Sequence, residues 1–185
     1  PGSDGCIDTQ LAASRDGLAW ERVGNRQVFL PLGPAGGYAD GMVRTTANYI
    51  TRDDKIYIYY GAVSGPHSGP NHPAKDIKRK GPGFVGLATL RRDGWVSLDA
   101  DATGGSIVTR PRHPVDSGPL HVNVDARQGE LHASLIDERG HTLPGCEASL
   151  TGDLLDGEIA WAGPVPSSPV RIKFTLHDAK LYSYW

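Results

Sequence analysis

Glycine (24) and proline (14) together fill about a fifth of the 185 positions, against a usual ~12% for the pair. Glycine loses the most backbone entropy in a helix, and proline removes a helical donor and clashes with the preceding turn. No stretch of eleven or more residues keeps a helical period. The nearest, residues 148–155 (ASLTGDLL), is interrupted by Gly152. A helical bundle and a doubly wound α/β fold are thereby excluded. Hydrophobic residues make up 38%, including 4 Trp and 7 Tyr. That is enough apolar surface to offset chain entropy, so wholesale disorder is excluded too. The expectation is an all-β, turn-dense protein.

Charge narrows the partners. Lys plus Arg is 19 and Asp plus Glu is 21, a net charge of −2 with both signs scattered. The one basic cluster is Lys75, Lys78, Arg79 and Lys80, and nucleic-acid binders carry a stronger basic bias. No apolar run approaches the ~18 residues of a membrane helix. Neither nucleic acid nor membrane is expected as a partner. Cys6 and Cys146 fit either one disulfide or two free thiols. The sequence opens Pro1-Gly2-Ser3, which reads as a tag scar or a cut from a longer protein.

Strand signals dominate. Residues 42–50 (MVRTTANYI) and 55–63 (KIYIYYGAV) are β-branched and aromatic, and Arg52-Asp53-Asp54 marks a hairpin turn between them. Further short strands are expected at 106–110, 120–124, 131–136, 158–162, 170–176 and 180–185. In 170–176 (VRIKFTL), Val170, Ile172, Phe174 and Leu176 alternate with Arg171, Lys173 and Thr175, the period of a half-buried strand.

One pattern recurs. QLAASRDGLAW at 10–20 resembles GLATLRRDGW at 86–95, with Asp16-Gly17 answering Asp93-Gly94 and Trp20 answering Trp95. Each copy predicts a hairpin with an indole packed back over it. A hairpin recurring with strands between is a propeller signature. One four-stranded blade would then run over 42–101, preceded by the outer half of another. The insert at 64–83 is polar and rich in Gly and Pro, as functional or disordered loops are. The Ala102-Thr103-Gly104-Gly105 stretch reads as a boundary. It separates propeller-like blades at 1–103 from a β-sandwich of short strands at 104–185.

The run Ser14-Arg15-Asp16-Gly17-Leu18-Ala19-Trp20 resembles the S-x-D-G-x-x-W hairpin of five-bladed β-propeller glycoside hydrolases of the family 32 and 43 type. KIYIYYG at 55–61 resembles their Y-Y-G strand. The ending, from Trp161 through residues 170–174 and 179–183, is similar to the sandwich that trails the propeller. The resemblance implies about one and a half propeller blades followed by a jelly-roll-like β-sandwich. It implies a secreted or periplasmic, bacterial-type protein that acts on or binds carbohydrate. It also implies three acidic residues on inner strands, and no position here matches them. Glycoside cleavage needs a carboxylate pair across the scissile bond. No catalytic residue is therefore assigned, and the isolated chain is expected to be inactive. The leading expectation is a non-catalytic C-terminal region that completes a larger propeller and contacts glycan. The alternatives are a free-standing carbohydrate-binding module, with Tyr38 or Trp185 as platform, and a small glycosidase assembled by self-association through open blade edges.

Carbohydrate-binding candidates are Tyr38 in a glycine-rich loop, Asp40 just before an inner strand, Tyr60 and His67 at a strand end. Aromatic faces stack on sugar C–H faces, and carboxylates and imidazoles bond sugar hydroxyls. Tyr57 and Tyr59 share the other strand face and are expected to pack in the blade. His67 and His72 are too loosely spaced for zinc, so no metal ligand is assigned. Asp125, Asp137 and Asp153 are the carboxylates that a Ca2+ site in the sandwich would use.

Overall fold

A computed structural model describes residues 5–65, 67, 83–113 and 119–185. The chain divides into two compact units, Pro1–Leu90 and Arg91–Trp185. Among the described residues the regular elements are strands, apart from one 3-10 turn at Gly24–Arg26. The all-β expectation therefore holds.

In the first unit, β1 (Thr9–Gln10) and β2 (Ala12–Ala13) pair with β4 (Val28–Leu30) and β3 (Glu21–Arg22) respectively. The main sheet is built on β7 (Lys55–Val63). Strands β5 (Met42–Thr45) and β6 (Ile50–Arg52) share one edge of β7, and β8 (Phe84–Arg91) takes the other. The expected strand 42–50 is thus split into β5 and β6, and between them Thr46 Oγ1 donates to Asn48 O at 2.8 Å. The hairpin turn falls where expected: Arg52 pairs with Lys55, and Asp53 takes the left-handed conformation at φ 53°. Strand alternation sends Ile56, Ile58 and Ala62 inward, all buried. Among the described residues one buried cluster joins Ala39, Val43 and Ala62, flanked by Leu30, Leu32 and Tyr60.

The second unit forms one six-stranded sheet. Its strands are β9 (Leu98–Ala100), β10 (Gly105–Val108), β11 (Leu120–Ile136), β12 (Thr142–Ile159), β13 (Arg171–His177) and β14 (Ala179–Tyr184). The first half of β11 pairs with β14 and its second half with β13, while β12 follows its other edge. The outer strands β9 and β10 pair with β14 and β13. The sheet bends over itself and is nearly closed, barrel-like.

Two expected strands, 120–124 and 131–136, are one. Their buried residues change phase, from Val122, Val124 and Ala126 to Leu131, Ala133 and Leu135. Even positions become odd, which an unbroken period of two forbids. A bulge between Ala126 and Leu131 absorbs the slip. Gly129 permits it, since a Cβ there would lie 1.9 Å from the His177 carbonyl oxygen. Around this bend Val122, Val124, Leu131, Phe174 and Ile159 are almost fully buried.

The repeated pattern does not give a repeated structure. In the first copy Gly17 holds positive φ (75°), and Asp16 Oδ1 accepts from the Leu18 and Ala19 N–H groups at 2.8 Å. Trp20 Nε1 donates to Gly17 O, yet the ring stays 64% exposed. In the second copy Asp93, not glycine, is left-handed (φ 54°), and the Gly94 N–H returns to Arg91 O. The strand that follows it, β9, pairs with β14 rather than with β8. Of the blade expected over 42–101, β5 to β8 share one sheet, and residues 98–100 belong to another.

Candidate functional site

Tyr60 points to the same side of β7 as Ala62, and there it meets Tyr38 from the glycine-rich loop. The two hydroxyls share a hydrogen bond, which raises the Tyr60 pKa. The Tyr38 ring lies 5.3 Å from that of Phe84, tilted by 58°. Edge-tilted pairs of this kind are favourable for aromatic quadrupoles. Gly86 clears the space: a Cβ on it would sit 2.2 Å from Tyr60 Cζ. Two residues earlier on β8, Phe84 shares that face. The result is a three-ring cluster in which Tyr38 and Phe84 are about half exposed while Tyr60 is partly buried.

Asp40 is engaged in holding the loop. Its Oδ2 accepts from the Gly36 N–H at 2.8 Å and its Oδ1 from the Gly65 N–H at 3.1 Å. This carboxylate ties the start of β5 to the end of β7 and so positions Tyr38 two residues before it. His67 lies apart from the rings, at a cavity of about 210 Å³ lined also by Met42, Arg44, Gly61 and Val63. The four sequence candidates thus fall into a ring pair, a loop fastener and a cavity residue. Phe84 and Arg44 went unnoticed in the sequence. Phe84 directly follows the insert, and Arg44 is one charge in a strand. The expected second histidine, His72, lies outside the described residues.

Tyr59 departs from the expected packing role, while Tyr57 is partly buried. Tyr59 is 45% exposed, on the face opposite the buried cluster. Ile50, Val85 and Leu87 are exposed as well, and Ile50 is the direct partner of Tyr57.

The three sandwich aspartates do not converge. Asp125 and Asp153 are cross-strand partners, but arginines neutralise them. Arg127 forks onto Asp125 through Nε at 2.9 Å and Nη2 at 2.7 Å, which holds the Asp125 carboxyl down at about 2. Arg91 Nη1 reaches Asp153 at 2.6 Å while its guanidinium lies over the Tyr182 ring. Asp137 instead closes the β11–β12 hairpin, accepting from the Arg139 and His141 N–H groups. Among the described residues no three His, Cys, Asp or Glu side chains are grouped to hold a metal ion. Both cysteines are free thiols, Cys6 exposed and Cys146 buried.

Set against protein-family models, curated proteins and solved structures, the chain matches none of them.

Proposed function

We propose that this chain is a non-catalytic, carbohydrate-contacting region of a glycoside-hydrolase-like protein. In this reading the sheet of β5 to β8 stands for one propeller blade, and the sheet of β9 to β14 for the trailing jelly-roll-like sandwich. The observation that carries it is the ring cluster: Tyr38 and Phe84 lie 5.3 Å apart, tilted to each other, and each is about half exposed. Tyr60 and the Asp40-fastened loop hold Tyr38 in place. Rings fixed before binding lose little entropy when a sugar stacks on them. The exposed apolar residues Ile50, Tyr59, Val85 and Leu87 support the further idea that the first unit belongs against other β-structure.

Calorimetric titration with plant and algal polysaccharides tests the binding. Binding is expected, and Tyr38→Ala is expected to weaken it roughly tenfold, about 1.4 kcal/mol. No binding by the unmodified chain overturns the carbohydrate reading. A panel of aryl glycosides tests the other half. No turnover is expected, and hydrolysis abolished by changing one carboxylate would make the chain an enzyme.

A further inference from the structure

We infer that the cavity of Arg44, Gly61 and His67 binds a carboxylate group, so that the saccharide of the proposed function is an acidic one, bearing a uronate. The inference rests on the carbohydrate reading for the word saccharide and on the cavity alone for the word acidic.

The cavity follows from register. Arg44 of β5 pairs directly with Gly61 of β7. Cross-strand partners project on the same face, and here one partner has no side chain. A Cβ built on Gly61 meets nothing within 4 Å, so the space beside the Arg44 side chain is open. Buried Met42 is the next residue along that face of β5, and its partner Val63 stands across from it. His67 completes the lining, its backbone N–H donating to Gly5 O at 3.5 Å. The volume, about 210 Å³, falls below the ~300 Å³ at which pockets for drug-sized ligands begin. It suits one sugar ring or a small acid.

The charge is one-sided. Among the described residues the lining holds a guanidinium and an imidazole and no carboxylate. Arg44 is exposed, and no carboxylate among the described residues pairs with it. The cations of the second unit's larger cleft differ, since Arg127 is held by Asp125 and Lys180 by Asp99. An unpaired guanidinium is a planar fork that matches a carboxylate through two parallel N–H donors. The apolar wall of Met42 and Val63 excludes water on one side, which strengthens that pairing.

A carboxylate of this size comes from a uronic acid or from a small organic acid. Heteronuclear NMR titrations with glucuronate, glucose and lactate separate these sources. They are run on the unmodified chain, Arg44→Gln and Gly61→Leu, with each variant's amide spectrum reporting its fold. Glucuronate is expected to bind and glucose to be ignored. Arg44→Gln should weaken glucuronate roughly tenfold, the scale of one charge-assisted hydrogen bond. Gly61→Leu should block binding by filling the cavity with Arg44 intact. Equal binding of glucose and glucuronate, indifferent to both variants, overturns the inference and leaves the carbohydrate reading standing. Lactate bound as tightly as glucuronate, with the same dependence on Arg44, keeps the carboxylate site and removes the sugar. No binding of any of the three overturns the inference, while the polysaccharide titrations decide the other reading separately.

Discussion

The two units treat the same kind of strand differently. In the second, β13 buries Ile172, Phe174 and Leu176 and leaves Arg171, Lys173 and Thr175 on its wetter face. One face is apolar, and the bent sheet covers that face with itself. In the first, β7 is apolar on both faces: Ile56, Ile58 and Ala62 on one, Tyr57, Tyr59 and Val63 on the other. Among the described residues the first face is buried, with Ala62 packed against Ala39 and Val43, while on the second Tyr59 stays 45% exposed. Strands apolar on both faces belong to sheets covered on both faces. Alternation of this kind lets a bent sheet bury its one apolar face on itself, whereas a doubly apolar strand asks for a second layer.

The largest test of that contrast is Phe174→Ala. Phe174 is 0% exposed at the centre of the second unit's core, and such a truncation costs about 3–5 kcal/mol. Denaturant unfolding should register it as a lower midpoint for the second unit. Amide exchange in β5 and β7 should stay unchanged, and loosening there would show that the units do not hold their stability separately. Next comes Gly86→Ala, which drives a methyl into the Tyr60 ring. Overpacking of this kind costs about 1–3 kcal/mol. Its signature is altered Tyr38 and Phe84 ring resonances, and undisturbed rings would mean the cluster is looser than the contact implies. The smallest effect is on acid stability. The Asp125 carboxyl is lowered from 3.8 to about 2, first by the Arg127 side-chain hydrogen bond. A depressed carboxylate stabilises the folded state above its unfolded pKa, and that stabilisation is lost as pH falls through the folded value. The second unit should thus lose stability between about pH 4 and pH 2, and Asp125→Asn should flatten the slope there. An unchanged slope would locate the acid sensitivity elsewhere.

How much of this was legible follows from which signals are local. Strand β13 carries a period of two that nothing interrupts and β7 an unbroken β-branched and aromatic run, and both stand within one residue of where the sequence puts them. Strands β11 and β12 were concealed by glycines, which look like breaks on paper. Gly129 instead sits at a bulge, and Gly152 takes φ 90° within a continuous strand. The helical look of 148–155 dissolves for the same reason. Ala148, Leu150 and Leu154 share one face at a spacing of two, against the core. The matching Asp-Gly pairs misled because turn type depends on which residue takes positive φ, and each copy chose a different one. At the site, Tyr38 and Tyr60 were visible as aromatics near glycines, and they do meet. Arg44 was invisible because its partner is the missing side chain of Gly61, and register is a nonlocal fact.

The two thiols have a consequence of their own. Cys6 lies exposed in one unit and Cys146 is fully buried in the other, where burial also raises its pKa. Thiolates are the reactive form. A thiol-directed reagent will mark Cys6 at once in the native protein, and Cys146 only when its sheet opens. The chain thus carries its own stopwatch: the second labelling event times the opening of one unit, with the first as the zero mark.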